Sequence, residues 1–156
     1  MGFRRRGRTS DPAALGVGAV LNDDDLGDGW RLFQVEARGA AIGKAAGKGD
    51  PARLSRTLAE RTGSPALAAF VLDSDCAVLA VVSGSQTRQI AVNPEVLEDY
   101  GPPDDEELLD GDEAVDALVA WGEAAGFEPS REAVAAALDA DETFVEDKLA
   151  VIAEGR

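Results

Sequence analysis

Histidine is absent from the chain altogether. Its absence removes the usual general base at neutral pH, the histidine-activated serine and cysteine nucleophiles, and the commonest zinc ligand. Catalysis in such a chain has to rest on carboxylates, hydroxyls and the three lysines, Lys44, Lys48 and Lys148. Cysteine occurs once, which excludes an internal disulfide and any multi-cysteine metal site. Cys76 falls inside an apolar run, where a thiol behaves as a small hydrophobe and burial keeps it unreactive. No apolar run reaches the roughly 18 residues a membrane helix requires.

Nucleotide and nucleophile motifs are missing too. The glycine-lysine stretch Gly39 to Gly49 (GAAIGKAAGKG) has the composition of a phosphate loop, but Gly39 to Gly43-Lys44 is one residue short of the required spacing. Ala45 stands where a magnesium-binding hydroxyl belongs, and Asp50 brings negative charge to the place of the anion, so the stretch reads as a basic loop. Gly16-Val17-Gly18 lacks the third glycine of a dinucleotide fingerprint, since Leu21 holds that place. There is no Gly-x-Ser-x-Gly and no Ser-x-x-Lys. The acidic tract Asn22 to Asp28 fails as a calcium loop: counted from Asp23, the sixth place is Asp28 and the twelfth Gln34. No cofactor is implied.

What the chain does have is a lopsided charge. The formal net charge is −15; residues 1–94 carry 12 basic and 10 acidic side chains, whereas residues 95–156 carry 3 basic and 20 acidic. The second half therefore repels nucleic acid and anionic membrane and attracts basic surfaces, over roughly 8 to 10 Å at ordinary salt.

The sheet is announced by two apolar runs, Ala66 to Leu72 and Cys76 to Val82, separated by Asp73-Ser74-Asp75. That break is turn chemistry between strands. Both parities of both runs are apolar, so the hairpin is expected in mid-sheet with helices on either face. Trp30 to Ala37 predicts a half-buried first strand, and Gln86 to Asn93 a third strand bordering solvent. Asp50 before Pro51 predicts a helix start, Leu54 and Leu58 its buried side, and Gly63 its end. Helices follow over Asp112 to Ala125, with Ala114, Val115, Leu118, Trp121, Gly122 and Ala125 in one stripe, from Ser130 through Asp139, and after Asp141.

The pattern defines an α+β fold, a small mostly antiparallel sheet in the order β-α-β-β-β followed by C-terminal helices, with the sheet covered on both faces. Residues 1–11, rich in arginine, are expected as a mobile basic arm, and residues 12–156 as a single domain. Within it the sheet occupies 30–93, an acidic surface connection 94–111, and the helical part 112–155. Asn22 to Gly29 reads as a polar turn. Asp11-Pro12 interrupts the apolar stretch Ala13 to Leu21 from the basic start, which argues against an export leader and for a cytoplasmic location.

Two kinds of site follow. Asp73 and Asp75 present carboxylates that suit magnesium or calcium, although a hairpin tip uses the same residues for its geometry. In the acidic connection, Tyr100 with Asp104, Asp105, Glu106, Glu107 and Asp110 forms a surface suited to a basic protein partner, with Tyr100 the aromatic expected to be exposed. The expected function is a small acidic, non-catalytic binding domain of immunity or inhibitor type, sharing by charge alone the character of proteins that block nucleic-acid-cutting toxins. The alternative is a divalent-cation-dependent enzyme or ligand-binding domain built on the hairpin tip, and the plainest alternative is acidity that serves solubility.

Overall fold

The computed structural model of the chain describes residues 2–4, 20–27, 30–35, 50–100, 107–140, 145 and 148. The strands are β1 (Gly2–Arg4), β2 (Val20–Gly27), β3 (Trp30–Val35), β4 (Ala66–Leu72), β5 (Cys76–Ser83), β6 (Gln86–Val92) and β7 (Leu108–Leu109). The helices are α1 (Pro51–Thr62), α2 (Pro94–Tyr100), α3 (Gly111–Ala124) and α4 (Arg131–Asp139). Among the described residues, one seven-stranded sheet runs in the order β2-β3-β1-β4-β5-β6-β7, antiparallel throughout except for the β6–β7 pair. This is an α+β fold.

The hairpin lies at its centre. β4 and β5 pair from Ala66↔Val82 to Leu72↔Cys76, and β5 pairs with β6 from Ala77↔Val92 to Ser83↔Gln86. In antiparallel ladders, facing residues share a face. Ala77, Leu79 and Val81 therefore lie with Ile90 and Val92 on one side, under Ala114, Val115 and Leu118 of α3, Val134 of α4, and Val145. The other side divides between two helices. Leu54 and Leu58 of α1 pack on Ala66, Ala68 and Phe33, and Leu97 of α2 packs on Cys76, Val78 and Ala91. β5 is thus buried on both faces, as its unbroken apolar run demands. β4 is buried at Ala66 and Ala68 and only half-buried from Ala69 onward. Its outer edge pairs with β1 at Ala66 and Leu67 alone, so among the described residues no strand shields the rest of that edge.

Local chemistry sets the helix ends. Arg53 N donates to Asp50 Oδ1 at 2.8 Å, and Gly63 closes α1 in the left-handed conformation (φ 64°). Ala133 N donates to Ser130 Oγ at 3.3 Å and starts α4. Trp121 of α3 donates from Nε1 to the Ala66 carbonyl at 3.1 Å and packs edge-on to Trp30, with ring centroids 5.5 Å apart. Phe127 joins them, its centroid 4.9 Å from that of Trp30. These contacts fasten the end of α3 to the start of β4.

Three expectations need correction. Gly2–Arg4, expected in a mobile arm, forms β1 between β3 and β4, because ladder hydrogen bonds come from the backbone and need no hydrophobic pattern. Val20–Gly27, expected to be a turn over most of its length, is an edge strand, with register irregularities at Val20/Asn22 and Asp25/Gly27. Carboxylates weaken a strand but protect an edge from further pairing, which is the place they hold here. The connection 94–111, expected without elements, contains α2 and β7. Pro94 takes the first helical turn, where its missing N–H costs nothing, and Leu97 supplies the buried anchor. The remainder of the basic arm, the loop Gly39 to Gly49 and most of the helix expected after Asp141 lie outside the described residues. No helix among the described residues is long and apolar enough to cross a membrane.

Candidate functional site

The β4–β5 turn and the end of α2 meet at one corner of the sheet. Tyr100 lies within hydrogen-bond reach of two carboxylates there, its hydroxyl 3.2 Å from Asp73 Oδ2 and 3.4 Å from Asp75 Oδ2. A phenol carries one proton, so it donates fully to one carboxylate at a time and the pair must share it. Partial desolvation, the hydrogen bond to Asp73 and the charges of Asp73 and Asp75 together push the phenol up to about 12, so at neutral pH it stays protonated. Tyr100 as a whole is 38% exposed.

The turn that aims these carboxylates is tight. Asp75 N donates to the Leu72 carbonyl at 3.0 Å, with Asp73 and Ser74 in the left-handed region at φ 49° and 64° between them, inside a three-residue loop closed by the Leu72↔Cys76 pair. Aspartate tolerates left-handed backbone better than most residues, which is one reason the sequence places it here. Cys76, the next residue, is buried, and its thiol is pushed up first by desolvation and then by Asp75 and Asp73. It is a core residue and no nucleophile.

Around this corner the surface is acidic. Glu95, Glu98 and Asp99 on α2 and Glu107 and Asp110 before α3 are exposed, as are the carboxylates of α3 and α4. Among the described residues, the ion pairs made by carboxylates of residues 95–139 are those of Arg131 with Asp112 and Asp116, at 3.2 and 3.0 Å. Arg131 is 51% exposed and its partners 89% and 68%, so these pairs contribute about 0–1 kcal/mol and leave the field of the surface nearly intact.

The structure thus brings together Asp73, Asp75 and Tyr100, which the sequence had assigned to two different kinds of site. Glu107 and Asp110 are exposed farther along the same acidic segment, and Asp104, Asp105 and Glu106 lie outside the described residues. Asp110 stands at the start of α3 without a capping hydrogen bond, so its carboxylate is free to face solvent. Lys148 and Asn93, which the sequence did not single out, border the corner: Lys148 Nζ donates to Asn93 Oδ1 at 2.6 Å, and Asn93 Nδ2 to the Asp75 carbonyl at 2.7 Å. An asparagine before a proline, ahead of an amphipathic helix, is the signal that was available. No group of three or more His, Cys, Asp or Glu side chains suited to a metal ion occurs among the described residues. The corner offers a cation two carboxylates and a phenol.

No family model, no curated protein and no solved structure matches the chain.

Proposed function

We propose that this is a small, non-catalytic binding protein whose acidic surface docks on a basic protein, with the corner formed by Asp73, Asp75 and Tyr100 as its centre. The observation that carries the reading is the convergence of two exposed carboxylates on one exposed aromatic hydroxyl, beside the exposed carboxylates of α2. A lysine or arginine of the partner would find there what it needs: two acceptors for its N–H groups and a ring face for its cation. An inhibitor or immunity role is the form of this reading that uses the charge most fully, because carboxylates can occupy the sites where a basic enzyme takes phosphates. We place the protein in the cytoplasm, in keeping with a chain that has no second cysteine to pair. Nucleic acid and anionic membrane are not partners of this half of the molecule.

The test separates the corner from acidity in general. Proteins retained from a lysate on the immobilised chain should elute as salt rises. Asp73→Asn with Asp75→Asn should lower the eluting salt far more than Glu123→Gln with Glu128→Gln, which removes the same charge at the opposite end of β4. Equal effects of the two pairs would leave only acidity, and the docking corner would be lost.

The cation-dependent alternative keeps one supporting observation, the approach of both carboxylates to the same phenol oxygen. Under it, magnesium or calcium raises the melting temperature of the wild-type chain and not of the Asp73→Asn, Asp75→Asn variant.

A further inference from the structure

Among the described residues, the non-glycine positions with left-handed backbone are Asp73, Ser74 and Asn93, and all of them meet at the docking corner. Such conformations persist where the surroundings hold them. The holding groups come from the C-terminal end of the chain. Val145 N donates to the Ser74 carbonyl at 2.8 Å, and Lys148, 4% exposed, donates to Asn93 Oδ1 and, at 2.8 Å, to the Leu138 carbonyl in the last turn of α4. Asn93 passes the constraint on, through its amide, to the Asp75 carbonyl. Two successive carbonyls of the hairpin tip are therefore tied, directly or through one side chain, to Val145 and Lys148.

Burying an ammonium is expensive, and these two acceptors are neutral. A methionine would fill the same space at lower cost. What the ammonium adds is a pair of directed donors, one at the Leu138 carbonyl of a helix end and one at Asn93.

We propose that Lys148 is a positioning residue for the acidic corner: through Asn93 it sets the hairpin tip so that Asp73 and Asp75 converge on Tyr100. The corner is then coupled to the seating of Val145 and Lys148, and whatever displaces those residues loosens it. The functional weight of this inference rests on the docking reading, but its geometry can be tested without a partner.

Tyr100 is the single tyrosine of the chain, so ultraviolet absorbance follows its ionisation alone. Wild-type protein, Lys148→Met and Asn93→Gly are compared at about pH 11, with far-ultraviolet circular dichroism to verify folding. Glycine keeps the left-handed backbone and removes the amide. In the wild type, Tyr100 with its value near 12 stays mostly protonated. Both variants are expected to raise the ratio of phenolate to phenol roughly tenfold or more, as the value falls back toward that of a free phenol. A role confined to capping α4 would not move this signal. If Lys148→Met does not fold, Asn93→Gly decides alone. Wild-type ionisation in the folded variants, or failure of both to fold, overturns the proposal. An ionisation shift without any effect of Asp73 and Asp75 on salt-dependent retention would keep the positioning role and discard the docking reading.

Discussion

Leu79→Ala tests the burial of the central strand on the face beneath α3 and α4. Leu79 is fully buried in β5, paired with Ala69 on one side and Ile90 on the other, and packed in the cluster that includes Val115 and Leu118. The substitution removes three carbons; at about 0.8 kcal/mol each the transfer loss is about 2.4 kcal/mol. The cavity raises the total to about 3 kcal/mol, within the range of roughly 2–5 found for such changes. For a chain of this length that lowers the melting temperature by roughly 6–12 °C. Urea unfolding followed by circular dichroism should show a lower midpoint with an unchanged slope. Val78→Ala tests the opposite face, where α2 packs, and removes two carbons, for a cost of about 2 kcal/mol. A cost below about 1 kcal/mol for either substitution would refute a β5 sandwiched between helices.

Asp50→Ala should destabilise by about 1 kcal/mol, read by the same urea titration, because Arg53 N loses its cap. Trp121→Phe keeps an aromatic ring against Trp30 and loses the donor to Ala66; a cost of about 1 kcal/mol is expected, and the intrinsic fluorescence of Trp30, the tryptophan that remains, reports the unfolding. The raised phenol of Tyr100 fixes a sign for alkaline pH. Protonated Tyr100 is favoured in the folded state, so its stabilising contribution is complete below pH 10 and is lost as pH rises from 10 through about 12. Tyr100→Phe should flatten that part of the stability profile.

How much of this was legible follows from the kind of signal each segment carries. β4, β5 and α1 could be read because Ala66 to Leu72, Cys76 to Val82 and Asp50-Pro51 state their structure locally, in period, turn and cap. β1 could not, since Gly2–Arg4 owes its state to the open edges of β3 and β4, which are distant in sequence. β2 was hidden by its aspartates, although Asp28-Gly29 ahead of Trp30 is a hairpin signal that propensity outweighed. α2 was hidden by the acidic context of Pro94–Tyr100, in which Leu97 alone marks the buried side. At the site, charge and the exposed Tyr100 were visible in composition. Their meeting with Asp73 and Asp75 was not, because it depends on α2 returning across the end of the hairpin.

Carboxylate labelling with a carbodiimide and a neutral amine, with and without a basic protein eluted from the immobilised chain, tests the docking corner most directly. Protection concentrated at Asp73, Asp75, Glu98 and Asp99, with Glu123 and Glu128 labelled as before, is the predicted result. Protection at Glu123 and Glu128 with the hairpin tip unchanged, or equal protection everywhere, would contradict it.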